Sequence, residues 1–387
     1  MKVIINTHVV LVDGILFDGI VAIEGDRIVK VCKQSEFTIP SDAEIIDANG
    51  LYTAPGLIDI HNHGSGDNFF IDDPEECVNY FIKHGQTTIY PTFYQTYTAE
   101  EMINGAKMLK EFSKTGLGRV IKGIYMEGPY MRSGGSNQDL FKWSGDIELS
   151  KYKELVDSLK GYARVYSIDP ARKNIDEFMK YVKSVDKDVI FALGHSQATS
   201  EQCQEVYDLG IKLATHMGDS GKGPKLNQAI HAGGVDEFTL CTPDMFAELI
   251  CDECGIHLSP YTIRSYIKAK GIEKIILITE SYPKTGDYKN NEADGIKYGP
   301  DLNYDANGWL AGSHLTLDNA CRNVMSYTSY GLCNVIRFAT YNPARLLGID
   351  SEVGCIKEGR LADIILIDGA VNIKKVMLQG EIVVDNM

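Results

Sequence analysis

The sequence predicts an α/β protein, a TIM-like (β/α)8 barrel with a small β-sandwich domain formed by both chain termini. Two observations carry this. In the middle of the chain, eight short apolar runs alternate with stretches of helical periodicity over about 290 residues. At both ends the pattern changes to closely spaced strands and tight turns, and chain termini commonly lie close enough to build one unit. A length of 387 residues holds one barrel and a satellite. The expected division is 1–52 and 346–387 for the small domain and 53–345 for the barrel.

Taken in order, residues 20–24 and 27–31 flank Gly25-Asp26 as a two-residue hairpin, and 376–378 and 381–384 flank Gln379-Gly380 in the same way. The eight barrel strands are read at 57–63, 87–93, 120–127, 164–168, 189–195, 213–217, 246–252 and 275–280. Between the second and third, Thr98-Ala99-Glu100-Glu101 is a capping box, followed by Met102, Ala106, Leu109 and Phe112 on one helical face. A doubly wound open sheet is the competing architecture, but no G-x-G-x-x-G joins a strand to a helix. Segment 284–307, rich in Asp, Asn, Gly and Lys, reads as an active-site loop or an irregular insertion.

A formal charge of −15 repels phosphate backbones, so nucleic acid is not an expected partner. It leaves room for a small anionic substrate, because one or two pocket cations suffice. The longest apolar runs are far too short to cross a bilayer, so no membrane partner is expected. Asn6, His8 and Asp13 interrupt the start where the apolar part of a signal peptide would lie. Nine scattered cysteines, an odd number, read as reduced thiols in a cytoplasmic protein. Cys251-Asp252-Glu253-Cys254 lacks a second pair and reads as ordinary buried thiols.

Metal-binding side chains fall at the C-terminal ends of the proposed strands. His61 and His63 end the first, and period-two alternation points both imidazoles to one face. Glu127 ends the third, His195 the fifth, His216 the sixth and Glu280 the eighth. A barrel brings these ends to one axial pocket, where four imidazoles and two carboxylates suit one or two divalent ions. A lone His-x-His is weak support, since histidines also cap and pack; the joint pattern carries the assignment. His8, His84 and His231 lie off these ends and read as surface or packing residues. His257 and His314 are intermediate, and His257 follows the seventh strand.

The ordered motifs Pro55-Gly56-Leu57-Ile58-Asp59-Ile60-His61-Asn62-His63-Gly64, Met126-Glu127-Gly128-Pro129, Gly194-His195-Ser196, Ala214-Thr215-His216-Met217, Gly255-Ile256-His257, Leu310-Ala311-Gly312-Ser313 and Gly359-Arg360-Leu361-Ala362-Asp363 resemble those of the N-acetylglucosamine-6-phosphate deacetylases, within the amidohydrolase superfamily. The resemblance implies a metal-dependent hydrolase that removes an N-acetyl group from an amino sugar phosphate. It implies Glu127, His195 and His216 as principal metal ligands and His61 and His63 as the pair holding a second ion. Zinc is the expected ion, with iron, manganese or cobalt as alternatives. It further implies Glu280 as the acid that takes a proton from the attacking water, His257 as a substrate contact beside the scissile amide, and a homodimer.

Three segments depart from the family pattern. The strand-eight acid is usually aspartate and here is Glu280. The stretch after the strand-six histidine reads Met217-Gly218-Asp219-Ser220-Gly221-Lys222, without the family's Tyr-Asn-Ala-Met, and no arginine occurs between Arg172 and Arg264. Gly218, Asp219 and Lys222 are therefore the substrate-binding candidates there, Lys222 or Lys225 standing in for a phosphate-binding arginine. In the loop after Glu127, Asn137 takes the place of a substrate-contacting histidine. Two other readings stay open: an amidohydrolase acting on a different N-acyl or cyclic amide substrate without phosphate, and a non-catalytic sugar-binding homologue.

Overall fold

The computed structural model describes residues 1–132, 140–227, 230–283, 299–305 and 308–387. Of the candidates above, Asn137 lies outside the described residues, as do 284–298 and 306–307 of the polar segment. The chain divides into two compact units, one of Met1–Asp59, Val78–Thr88 and Thr316–Met387, the other of Ile60–Cys77 and Ile89–Leu315.

The barrel sheet runs in chain order through Leu57–Asn62, Gln86–Tyr94, Ile124–Glu127, Ala163–Ile168, Ile190–Leu193, Ile211–Ala214, Phe246–Ile250 and Ile275–Ile278. Neighbouring strands are parallel. At the C-terminal rim the last strand meets the first: the Glu280 N–H donates to the His61 carbonyl at 3.1 Å and the His63 N–H to the Ser281 carbonyl at 2.8 Å. These are the eight runs expected from the sequence. They are apolar throughout because strands of a helix-wrapped parallel sheet are buried on both faces. The helix Ala99–Phe112 begins at the expected cap, with the Thr98 hydroxyl accepting from the Glu101 N–H and the Glu101 carboxylate accepting from the Thr98 N–H. It buries Met102, Ile103, Ala106 and Leu109, while Phe112 is half-buried.

The termini pair into one sheet of eight strands: Lys2–Val10, Ile15–Glu24, Arg27–Lys33, Glu44–Asp47, Tyr52–Pro55, Ile364–Ile367, Ile373–Leu378 and Glu381–Asp385. Both expected hairpins form, and Gln379 and Gly380 take the positive φ values of 49° and 81° that a tight turn demands. Ile4, Val21, Ile28, Ile364, Leu366 and Met377, from opposite ends of the chain, share one core. The sheet curls far enough that Ile28 exchanges backbone hydrogen bonds with Gly359 and Arg360, just before Ile364.

One expectation is corrected. Cys251 is buried, but Cys254 is exposed. The cause lies between them. The Asp252 carboxylate accepts the N–H groups of Cys254, Ile256 and His257 at 2.9–3.1 Å, and this turns the chain away from the core after the seventh strand.

Candidate metal centre

Every candidate metal ligand sits at the C-terminal rim of the barrel, and the strand geometry explains how each arrives there. His61 lies in the first strand and His63 just beyond it, both fully buried with their rings 5.5 Å apart. Glu127 is the last residue of the third strand. His195, His216 and Glu280 each follow their strand by two residues, and all three take positive φ values of 44°, 26° and 50°. Each such conformation costs about 1–3 kcal/mol for a residue other than glycine. Three of them in one ring of strand ends show the backbone bent to aim side chains at the barrel axis. Gly194 makes room for this bend, since a Cβ there would come within 2.5 Å of the Thr215 Cβ.

Glu127 is the hub. Its Oε1 lies 2.9 Å from His195 Nε2 and 3.1 Å from His216 Nε2. Its Oε2 lies 3.2 Å from His63 Nε2 and 3.6 Å from His61 Nε2. Glu280 completes the second side, with Oε2 3.0 Å from His61 Nε2 and Oε1 3.3 Å from His63 Nε2. Two donor groups result, His61–His63–Glu127–Glu280 and Glu127–His195–His216, each with its donor atoms within 4.8 Å of one another. Imidazole and carboxylate donors suit zinc, iron, manganese or cobalt. The His195 and His216 Nε2 atoms also face each other at 3.1 Å, a contact that a shared cation satisfies better than a hydrogen bond. The donor set therefore fits a divalent metal, and the shared carboxylate offers one oxygen to each group.

Burial alone would push these imidazoles toward neutrality, but the carboxylates reverse it. His216 is raised to about 10 by its hydrogen bond to Glu127 and the charges around it, and His61 is raised well above its ordinary value. Burial would raise the Glu127 carboxyl, yet hydrogen bonds from the four imidazoles hold it well below the usual range. Without metal the centre is thus held by imidazolium–carboxylate pairs. The His216 contribution is complete below its ordinary value near 6.5 and is lost as pH rises through about 10. A divalent ion must displace these protons, so its affinity should rise with pH and its binding at pH 7 should release protons. Calorimetric titration of the metal-free protein in buffers of different ionisation enthalpy measures that release; none detected would contradict the arrangement.

The centre opens into a cavity of about 240 Å3 lined by His63, Tyr94, Glu127, His195, His216, Asp219, Ser220, His257, Glu280, Tyr282, Trp309 and residues 310–312. His257 is oriented by Asp252, whose Oδ2 lies 3.2 Å from its Nδ1. Asp219 lines the cavity with its side chain 46% exposed. Gly218 does not line it: at φ +94° it passes under Leu258, where a Cβ would come within 2.4 Å, and its N–H donates to Asp236 at 3.2 Å. Lys222 is exposed and also off the lining, which carries no lysine or arginine among the described residues. His231 is exposed, and His84 sits 3.2 Å from Asp318.

Sequence reasoning missed Glu248, Asp252, Tyr94, Tyr282 and Trp309. Tyr94 and Tyr282 carry no sequence signal of their own; their rings pack edge-on and tilted against His63. Glu248 had a usable signal, a lone acid within the apolar strand Phe246–Ile250.

Comparison with known proteins agrees with this geometry. Residues 52–383 match the model of the Amidohydrolase family. The chain is 26% identical over 358 residues to the N-acetylgalactosamine-6-phosphate deacetylase of Escherichia coli O157:H7, covering 89% of this chain and 90% of that one. It is 27% identical over 368 residues to the N-acetylglucosamine-6-phosphate deacetylase of Lysinibacillus sphaericus, covering 91% of both. The crystal structure of N-acetylglucosamine-6-phosphate deacetylase from Pasteurella multocida superposes with a TM-score of 0.85 at 23% identity, covering 98% of this chain and 99% of that one. The family match spans all eight barrel strands and, of the terminal sheet, Tyr52–Pro55, Ile364–Ile367, Ile373–Leu378 and the start of the last strand; the chain belongs to the amidohydrolase family, hydrolases of carbon–nitrogen bonds.

Proposed function

We propose that this protein is a metal-dependent deacetylase that removes the N-acetyl group of an N-acetylhexosamine 6-phosphate, with residues 53–345 as its catalytic domain. The observation that carries this reading is Glu127 set between four imidazoles at the floor of the cavity, with Glu280 beside it. Relatives that match about nine-tenths of the chain are named as deacetylases of N-acetylglucosamine 6-phosphate and N-acetylgalactosamine 6-phosphate.

His61, His63, Glu127, His195 and His216 would hold the ion or ions, with Glu280 at the His61–His63 side. A divalent cation, when bound, supplies Lewis acidity that acidifies water and polarises an amide carbonyl. The chain's own groups do the rest. Glu280 accepts the proton of the attacking water and passes it to the departing nitrogen, which cannot leave as an anion. His257, its Nδ1 turned to Asp252, lines the cavity, where its other ring nitrogen would hold the acyl oxygen. Tyr94 and Tyr282 wall the cavity and limit water around the acyl group. The products are acetate and the free amino sugar phosphate. The imidazole and carboxylate donors support zinc, the odd number of cysteines, nine scattered along the sequence, supports a reducing, cytoplasmic setting, and the family resemblance supports a homodimer.

The test is release of acetate and free amine from N-acetylglucosamine 6-phosphate and its galacto epimer, with and without added zinc, iron, manganese or cobalt. Metal-dependent cleavage of either sugar phosphate is the expected result. Metal-loaded protein that leaves both intact but cleaves an unphosphorylated N-acyl compound would replace the substrate assignment. Asp219 and the absence of lysine and arginine from the described lining make that comparison informative.

A further inference from the structure

Glu248 is a carboxylate with no solvent exposure, in the middle of a strand whose other residues are apolar. Burying an anion there costs several kcal/mol unless something nearby compensates. Its Oε2 lies 3.1 Å from His61 Nδ1 and 3.1 Å from the His216 backbone N–H. Its Oε1 has no hydrogen-bond partner among the described residues. The His216 contact has a backbone cause. The ladder between the sixth and seventh strands runs through Leu213–Phe246 and Ala214–Ala247, and beyond it the chain bends to give His216 its φ of 26°. The Glu248 side chain takes the N–H that the ladder no longer covers, and the Glu248 carbonyl takes the next one, from Met217, at 2.9 Å. On its other side the His61 ring stacks on Tyr125 at 4.4 Å, which confines its plane.

Resting on the metal-centre reading above, we propose that Glu248 is a positioning residue: its Oε2 holds the proton of His61 on Nδ1, strengthens Nε2 as a metal donor, and fixes the backbone that presents His216. The chemistry favours this over simple packing. One partner is the His216 N–H, and with His61 Nε2 given to a metal the other is the Nδ1–H; a glutamine oxygen would satisfy both equally, so only the charge distinguishes glutamate from its neutral isostere. A carboxylate on the remote nitrogen of an imidazole sets its tautomer and makes the near nitrogen more basic toward a cation. One side chain therefore serves a ligand in each donor group.

The experiment compares metal-free wild type, Glu248→Gln and Glu248→Asp by zinc titration against a competing chelator, and by 15N-histidine NMR of the metal-free proteins. Glu248→Gln should weaken zinc about 10- to 100-fold and shift the His61 nitrogen resonances. Near-ultraviolet circular dichroism checks that the fold is kept. Should Glu248→Gln not fold, Glu248→Asp carries the test, because its carboxylate falls short of His61 Nδ1 and must weaken zinc as well. Unchanged zinc affinity and unchanged His61 resonances in a folded variant would overturn the role of Glu248 alone. Wild type that binds no divalent ion would overturn the metal centre and this role with it.

Discussion

Glu127→Gln should strip the protein of bound metal and lower kcat/KM by at least about a thousandfold. The reason is topological as well as chemical. Glu127 is the residue common to both donor groups, and each of its oxygens faces a different pair of imidazoles. The loss of any other ligand leaves one group intact; the loss of this carboxylate opens both. Lewis-acid stabilisation by a metal is worth several kcal/mol, and each 1.4 kcal/mol is a factor of ten in rate. The substitution also removes the anion that holds His61 and His216 protonated in the metal-free protein, and breaking one partner of a buried ionic network costs about 3–5 kcal/mol. Metal analysis, steady-state kinetics and the melting temperature of the metal-free variant measure the three effects. Normal metal content with activity within tenfold of wild type would show that the two groups do not depend on the shared carboxylate.

How much of this was legible beforehand follows from what a strand makes visible. The barrel was readable because each of its eight strands is an apolar run, and because five of the runs end in a ligand-type residue. The boundaries were less so. The run 120–127 becomes a continuous strand only at Ile124, after a short helical turn at 116–120 and a single bridge from Ile121 to Ile89. The run 189–195 leaves the ladder after Leu193, because His195 needs a backbone conformation that a strand cannot supply. Glu248 was hidden for a related reason. In a strand buried on both faces, alternation does not say which side chains point to the axis, so the lone acid in the apolar strand marks a residue that needs a partner without saying that the partner is His61 on another strand. Asp252 was likewise invisible, because its carboxylate collects the backbone N–H groups of Cys254, Ile256 and His257. The substrate-reading loops were the least legible. Loop conformation is set by contacts that a strand period does not encode, and the structure accordingly places Asp219 on the cavity but Gly218 and Lys222 off it.

The other large effect is expected at Glu280, where the family resemblance implies aspartate. A longer side chain in place of an aspartate ordinarily carries its carboxylate further from the backbone, and here that backbone is bent. Glu280 adopts a φ of 50°, its N–H is tied to the His61 carbonyl and its carbonyl accepts the Ser313 N–H at 2.8 Å. With the main chain held this way, the carboxylate straddles the two imidazoles of the first strand, one oxygen to each. On the proposed function, the reaction depends on the positions of these oxygens rather than on the residue type. Glu280→Asp should therefore impair the enzyme: it withdraws the carboxylate by about 1.5 Å, and a misplacement of about 1 Å can cost a hundredfold. Glu280→Gln should fall further, by on the order of 10² to 10⁴ beyond any loss of metal, because an amide cannot accept the proton of water. Since Glu280 is also one of the four donors on the His61–His63 side, metal content should drop in both variants, and rates must be compared at saturating metal. The order wild type, then Asp, then Gln tests the argument. Glu280→Asp matching wild type would mean that the strained backbone relaxes to restore reach, and Glu280→Gln retaining more than about a tenth of the activity would remove Glu280 from the proton transfer.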